Sequence, residues 1–311
     1  MVISLGLIVL GIALLFGGGE LLVENAKKLA FAFGMSAMAV GLTVVAFATS
    51  APELAAALTA NLKGSPDLAV GNAVGSNIAN VGLILGATAL FFTLPATTRF
   101  LRREMAFMIV VTVICYPLML SGLSIGRIEG AFMFTVLVLF IWFLLRDPDH
   151  QLDGDGDEDA ESGPIWIAAL GVVGGVFLLV GGAQSLVIGA SDIARAMGIS
   201  ERVIGLTILA IGTSLPELAA SLVAGRKGET DLIMGNIVGS NIFNLLCILG
   251  LTAVVSPLQV APAAMSLDYW MMLGISLLLL IFLSFTRRLT KVEGFVLLTC
   301  YTLYSVYLFV G

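Results

Sequence analysis

Residues 41–86 read GLTVVAFATSAPELAAALTANLKGSPDLAVGNAVGSNIANVGLILG, and residues 205–250 read GLTILAIGTSLPELAASLVAGRKGETDLIMGNIVGSNIFNLLCILG. The two stretches align without a gap at a constant offset of 164 residues, with 28 identities in 46 positions. The match continues more weakly upstream, where Gly17-Gly18 aligns with Gly181-Gly182. An internal repeat of this length indicates that the chain consists of two related halves.

The composition excludes an ordinary soluble protein. Of the 311 residues, 59% are hydrophobic and 12% are charged, and the mean hydropathy is +1.07. Soluble domains carry about 25% charged residues, so most of this chain must be solvated by lipid. His150 is the one histidine and lies in the most polar stretch, which excludes a His-dependent catalytic triad, a His-ligated zinc site and a haem ligand inside the membrane. No cofactor is expected.

Ten segments are apolar enough to span a bilayer, which takes about 20 residues each. The predicted spans are 3–22, 36–60, 69–92, 104–121, 127–145, 164–187, 202–224, 232–255, 268–286 and 292–310. Five spans separate corresponding points of the two halves, and an odd number places the two copies in the membrane in opposite orientations. We therefore predict an all-α membrane protein of two inverted five-helix repeats. The predicted domains are 1–145, an acidic linker 146–163, and 164–311.

The distribution of basic residues predicts the orientation. With the N-terminus outside, the cytoplasmic loops hold 11 Lys and Arg residues and the outside loops hold 4. Positive charge concentrates on the cytoplasmic side. We expect a multi-pass protein of the cell inner membrane with both termini outside and the linker in the cytoplasm.

Glu53 and Glu217 lie at equivalent positions inside apolar spans. A carboxylate at the bilayer centre costs at least about 2.5 kcal/mol, and neither span contains a Lys or Arg to pair with it. Two such carboxylates in an inverted repeat predict a shared cation site. The alternative is a protonated Glu that is hydrogen-bonded to a neighbouring helix.

Small and hydroxyl residues repeat at helical spacing beside each glutamate. Pro52 and Pro216 lack an amide hydrogen, so each frees a carbonyl one turn earlier, near Ala48 and Gly212. Hydroxyl, carboxylate and carbonyl oxygens suit Ca²⁺ and Na⁺, although single Ser and Thr residues often serve only to join membrane helices. The two stripes are Ala46, Thr49, Ser50 with Glu53, and Ala210, Thr213, Ser214 with Glu217.

A second polar stripe lies in the next span of each half. It comprises Asn72, Ser76 and Asn80, with the counterparts Asn236, Ser240 and Asn244. Asn72 and Asn236 lie off the expected centre and could instead join helices. Small residues allow close helix approach, and the candidates are Gly71, Gly75, Gly235 and Gly239. Asp67 and Asp231 are expected to be helix caps.

The acidic linker carries eight acidic residues and one basic residue. Asp153, Asp155 and Asp157 alternate as in a calcium loop, but Pro164 stands where an EF-hand needs its bidentate Glu. A solvated tether between the halves is the favoured interpretation, and weak calcium sensing is the alternative.

The doubled TSAPEL/TSLPEL and GNAVGSNIAN/GNIVGSNIFN stretches resemble the two repeats of the cation/Ca²⁺ antiporter superfamily, specifically its prokaryotic Na⁺/Ca²⁺ exchanger branch. The resemblance implies Ca²⁺ bound by Glu53 and Glu217, with Na⁺ ligands at Ser76 and Ser240 and a central amide at Asn80. Asn244 stands where several relatives have Asp, which disfavours the K⁺-dependent branch. The remaining ligands that it implies are carbonyl and hydroxyl groups of Ala46, Thr49, Ser50, Ala210, Thr213 and Ser214.

The resemblance implies a secondary antiporter that exchanges three Na⁺ for one Ca²⁺ by alternating access. A H⁺/Ca²⁺ or K⁺-dependent exchanger with the same midplane site is the alternative, and a cation channel is a further one. An intramembrane hydrolase is disfavoured because no span offers a catalytic pair. The expected partners are Ca²⁺, Na⁺ and the lipid bilayer, without nucleic acid or an obligate protein partner.

Overall fold

A computed structural model describes residues 1–147, 164–199, 204, 208, 210–260 and 267–310. These residues are almost entirely helical. A short helical segment, Ala210–Thr213, precedes the seventh main helix. The ten main helices are α1 (Val2–Ala32), α2 (Ala37–Leu62), α3 (Pro66–Phe91), α4 (Thr98–Leu120), α5 (Arg127–Arg146), α6 (Ile165–Ala196), α7 (Leu215–Arg226), α8 (Thr230–Val255), α9 (Tyr269–Thr286) and α10 (Lys291–Val310).

The helices confirm a multi-pass membrane protein. Eight of them in the described residues are long and apolar enough to cross a bilayer. Part of the seventh predicted span, 202–224, falls outside the described residues, and α10 is a helix of 20 residues. Residues 148–163 of the predicted linker, with its possible calcium loop, also lie outside them.

The polar helices contain π-helical turns that the sequence pattern does not predict. In α2 the turn covers Gly41–Val45, directly before the first hydroxyl stripe. In α3 and α8 the turns cover Asn80–Leu85 and Asn244–Leu249, so each begins at a predicted site asparagine. Such turns often occur at functional sites, and those at Asn80 and Asn244 occupy equivalent places in the two halves.

Two short antiparallel strand pairs connect the halves, in contrast to the purely helical prediction. β1 (Leu94–Pro95) pairs with β4 (Arg288–Leu289), and β2 (Ser124–Ile125) pairs with β3 (Leu258–Gln259). At the 164-residue offset, β1 corresponds to β3 and β2 to β4. Each pair therefore joins a loop of one half to a loop of the other.

Glycines allow the backbones of the two halves to touch. A Cβ at Gly235 would lie 2.5 Å from the Met38 carbonyl, and one at Gly239 would lie 2.7 Å from the Leu42 carbonyl. The close approach predicted at these two glycines is confirmed. Gly71 and Gly75 have no such neighbour within the described residues, and the segment that corresponds to Met38 and Leu42 lies largely outside them.

The N-caps of α3 and α8 differ from the prediction. Asp67 and Asp231 lie in the first turns of α3 and α8, and the N-cap residues are Ser65 and Glu229. The predicted cap role is therefore wrong, although a negative charge is favourable within the first turn of a helix.

Asp147, assigned from sequence to the solvated linker, is 7% exposed. Its carboxylate lies 2.7 Å from the Arg99 guanidinium and also pairs with Arg103. The end of α5 is thus tied to the beginning of α4, because two guanidinium groups compensate the buried charge.

Candidate functional site

The two intramembrane glutamates meet at the interface of the halves. Glu53 on α2 is 5% exposed, and Glu217 on α7 is 3% exposed. The carboxylates lie close enough to repel each other. In the described part of the chain, neither Oε2 atom has a hydrogen-bond partner. Two buried carboxyl groups with unsatisfied oxygens, one from each half, form a site at which a bound cation would stabilise the ionised forms.

Thr49 joins polar groups of both halves at this site. Its side chain is 1% exposed, and its hydroxyl lies 3.1 Å from the Val45 carbonyl and 3.4 Å from the Ala46 carbonyl. The same hydroxyl lies 3.3 Å from Asn236 Oδ1 and contacts the Glu217 carboxylate. The sequence left open whether Asn236 belongs to the ion site or joins helices. Its contact with Thr49 places it among the polar side chains at the interface of the two halves.

A cavity of about 190 Å³ borders the site. Glu53, Asn72 and Thr213 contribute polar groups to its wall, and Gln184 of α6 also lines it. The amide nitrogen of Asn72 is buried and has no partner in the described residues. The cavity therefore places polar groups of both halves beside one of the two carboxylates.

The equivalent region of the other half is almost closed. A cavity of about 10 Å³ is lined by residues that include Val23, Ala220 and Asn236. At the 164-residue offset these three correspond to Val187, Ala56 and Asn72, which line the large cavity. The smaller space has room for about one water molecule. The two equivalent regions therefore differ in volume, and we refer to the side of the large cavity as the open end and to that of the small cavity as the closed end.

Ion pairs join the halves at the closed end. Lys227 contacts Glu20 and Glu24, each at 2.7 Å, and Arg226 also pairs with Glu20. Lys27 and Glu229 form a further pair at 2.7 Å. At the open end, the equivalent residues of the two halves are Gln184, Ile188, Ser191, Leu62, Lys63 and Ser65. Five of these six are uncharged, so this set cannot form the same network.

Four asparagines form crossed hydrogen bonds between the halves. Asn80 Nδ2 donates to Asn241 Oδ1 at 3.0 Å, and Asn244 Nδ2 donates to Asn77 Oδ1 at 2.8 Å. The two bonds are equivalent at the 164-residue offset. Sequence reasoning selected Asn80 and Asn244 but missed Asn77 and Asn241, because these lie off the stripe defined by helical spacing. Their identity in both repeats was the available signal.

The remaining predicted residues lie on the same elements. Ser50 and Ser214 are buried, and Ser76 is partly exposed. Ser240 is fully buried, and its hydroxyl has no partner among the residues that the structure describes. Ala46 is buried at the beginning of the α-helical part of α2. Ala210 is the first residue of the short helical segment before α7. The structure does not describe the Ala210 side chain.

The site offers hard oxygen ligands. Among the described residues, no group of three or more His, Cys, Asp or Glu side chains could hold a metal ion. A cation at the glutamate pair would therefore draw its other ligands from hydroxyl, amide and carbonyl oxygens, which are the ligand types that Ca²⁺ accepts.

A family model for the sodium/calcium exchanger protein matches residues 3–146 and 167–310. The chain belongs to the sodium/calcium exchanger family. This is a family of cation antiporters rather than a class of enzymes, and membership fits a site built to hold and release a cation.

Relatives and a solved structure agree with this assignment. This chain is 40% identical to the putative antiporter CaxA of Alkalimonas amylolytica over 99% of both chains. It is 35% identical to the inner membrane protein YrbG of Escherichia coli over 89% of this chain and 88% of that one. A structure of the sodium-calcium exchanger NCX_Mj superposes with a TM-score of 0.84, at 26% identity over 99% of each chain.

Proposed function

We propose that this protein exchanges Na⁺ for Ca²⁺ across the membrane at a site centred on Glu53 and Glu217. The observation that carries the proposal is the pair of buried, adjacent carboxylates with unsatisfied oxygens, one from each half. Oxygen groups of Thr49, Ser50, Thr213, Ser214, Ser76, Ser240, Asn80 and Asn244, with the carbonyls of Ala46 and Ala210, would complete the coordination.

The charge of the site supports obligatory exchange. Two ionised glutamates and one Ca²⁺ sum to zero, whereas the empty site retains two negative charges. A loaded site can pass a low-dielectric barrier more easily than an empty charged one. With three Na⁺ the site carries one net positive charge, and the transport cycle is then electrogenic.

The unequal approaches support alternating access. Glu53 lines a cavity of about 190 Å³, whereas the equivalent cavity at the 164-residue offset has a volume of about 10 Å³. The equivalent strand pairs β1–β4 and β3–β2 support an inverted relation of the halves. Exchange of the two cavity shapes between the halves would expose the site to the opposite side.

The basic loops support an orientation in the cell inner membrane with both termini outside. In that orientation the open cavity faces outward and the ion pairs of Lys227 lie at the cytoplasmic end. The physiological direction is Ca²⁺ export driven by Na⁺ entry.

Uptake by proteoliposomes tests the proposed exchange. Vesicles loaded with Na⁺ and diluted into Na⁺-free medium are expected to accumulate Ca²⁺, and an inside-positive potential is expected to increase the rate. Vesicles loaded with K⁺ are the control, and an imposed pH gradient tests proton coupling. Uptake that ignores internal Na⁺ would contradict the proposal.

Loss of the closed-end ion pairs is expected to open the smaller cavity more often. Glu20→Gln removes the partner of both Arg226 and Lys227. Because partly exposed pairs contribute about 1 kcal/mol or less each, we expect a several-fold increase in the rate at which a water-soluble thiol reagent labels Ala220→Cys. The background is Cys300→Ser, which removes the partly exposed native thiol.

The matched control is Asp192→Asn, which removes an exposed ion pair with Arg195 on α6. This control is expected to leave labelling of Ala220→Cys unchanged. Equal labelling rates with and without Glu20→Gln would show that the ion pairs do not hold this end closed.

A further inference from the structure

The crossed asparagine bonds point to a second layer of the ion site. We propose that Asn77 and Asn241 are positioning residues that hold the amides of Asn80 and Asn244 with their oxygens available to the cation. The inference rests on the proposed function for the ligand role of Asn80 and Asn244 and for the identity of that cation. Asn77 and Asn241 are each 1% exposed and do not line the large cavity.

The direction of the first amide pair is fixed by a backbone carbonyl. Asn77 Nδ2 lies 3.1 Å from the carbonyl oxygen of Asn241. A carbonyl only accepts, so the Asn77 nitrogen must point to it and the Asn77 oxygen must point away. The Asn77 oxygen lies 2.8 Å from Asn244 Nδ2, so Asn244 is the donor of this hydrogen bond. The side-chain oxygen of Asn244 therefore points away from Asn77.

A thioether fixes the second pair in the same way. Asn241 Nδ2 lies 3.6 Å from Met108 Sδ, and a thioether sulfur only accepts. The Asn241 oxygen is therefore the group that faces Asn80 Nδ2 at 3.0 Å. Asn80 is therefore the donor of this hydrogen bond, and its own amide oxygen takes no part in it.

The two amide oxygens that take no part in these bonds belong to turns that pack against the helices of the two glutamates. The π-helical turn that begins at Asn244 contacts the helix of Glu53, and the turn that begins at Asn80 contacts the helix of Glu217. Asn244 Oδ1 is buried and has no partner in the described residues. An oxygen in this place attracts a cation, whereas a flipped amide would present an NH₂ group and repel it.

The two anchors differ in strength. A carbonyl is a better acceptor than a thioether, so Asn77 is held more firmly than Asn241. The amide of Asn80 therefore depends on the weaker anchor, and Asn241 is the more sensitive position to test.

The test measures Ca²⁺ binding to the purified full-length protein by titration calorimetry in Na⁺-free solution. Asn241→Leu keeps the branched shape and the number of side-chain heavy atoms but removes the acceptor for Asn80. We expect the Ca²⁺ dissociation constant to rise about tenfold, the effect of losing one orienting hydrogen bond. The melting temperature of each variant without ions reports any loss of folding.

Rescue distinguishes positioning from packing. A carboxylate presents oxygen on both edges, so Asn80→Asp needs no orienting partner and is expected to restore Ca²⁺ affinity in the Asn241→Leu background. Asn244→Asp adds the same charge but loses the donor to Asn77 Oδ1, so it is expected not to restore affinity. In the Asn77→Leu background the expectation is reversed: Asn244→Asp restores affinity and Asn80→Asp does not.

Three results would overturn the inference: unchanged affinity in Asn241→Leu, rescue by both aspartates alike, or rescue by neither. The first would remove the positioning role, the second would indicate a charge effect, and the third would indicate packing. The inference and the proposed function can fail separately. If the double variants show the paired pattern of rescue but the wild-type chain does not exchange Ca²⁺ for Na⁺, the proposed function is contradicted and this inference stands.

Discussion

Glu53→Gln and Glu217→Gln are each expected to abolish measurable Ca²⁺ transport. Each change halves the formal charge of the site and leaves the other carboxylate with a neutral amide as its neighbour. Removing one carboxylate from the buried ion pair with the bound cation costs about 3–5 kcal/mol, which corresponds to a loss of roughly 10²- to 4 × 10³-fold. The measurement is the initial rate of Ca²⁺ uptake by Na⁺-loaded vesicles that contain equal amounts of protein.

The control for this pair is Glu129→Gln, which removes a carboxylate in the first turn of α5. Gln matches Glu in size, so all three variants are expected to elute as folded protein in detergent. Transport at the normal rate in either Glu53→Gln or Glu217→Gln would contradict the assignment of the site.

Leucine at Gly18 or Gly182 is expected to disrupt the packing of α1 against α6. A Cβ at Gly18 would lie 2.8 Å from the Gly175 carbonyl, and one at Gly182 would lie 2.8 Å from the Leu15 amide nitrogen. These neighbours are backbone atoms, which cannot move aside as a side chain can. Overpacking of this kind costs about 3 kcal/mol or more, and we expect the melting temperature to fall by roughly 6–12 °C.

The adjacent glycines supply matched controls on the same helices. Gly17 and Gly181 have no neighbour within 4 Å of an added Cβ in the described residues. Leucine is a better helix former than glycine by about 0.8 kcal/mol or more, so Gly17→Leu and Gly181→Leu are expected to keep or raise the melting temperature. Equal destabilisation by all four changes would show that the close helix crossing does not decide stability.

The internal repeat makes much of the fold predictable from sequence. The constant offset of 164 residues is sufficient to pair Glu53 with Glu217, and the apolar length of each segment locates the helices. The π-helical turns at Asn80 and Asn244 were not predictable, because the same residues are compatible with a regular α-helix. Asn77 and Asn241 were overlooked because they lie off the polar stripe that regular helical spacing defines.

The difference between the halves could not be predicted from so similar a pair of motifs. The TSAPEL segment continues through Pro52 inside α2, whereas the corresponding TSLPEL segment breaks at Ser214 and places Pro216 at the beginning of α7. Local sequence is almost the same in the two cases. The open and closed cavities therefore arise from how the halves pack, which depends on contacts such as Lys227 with Glu20.

The most direct test of antiport is the Ca²⁺ gradient at which net flux stops. Proteoliposomes are prepared with a series of Na⁺ gradients, and valinomycin with equal K⁺ on both sides holds the membrane potential at zero. For an exchanger, the Ca²⁺ ratio at zero flux follows the Na⁺ ratio raised to the number of Na⁺ ions exchanged. We predict a logarithmic slope of three. A slope of zero, with Ca²⁺ flux stopping only when Ca²⁺ is equal on both sides, would contradict coupled exchange.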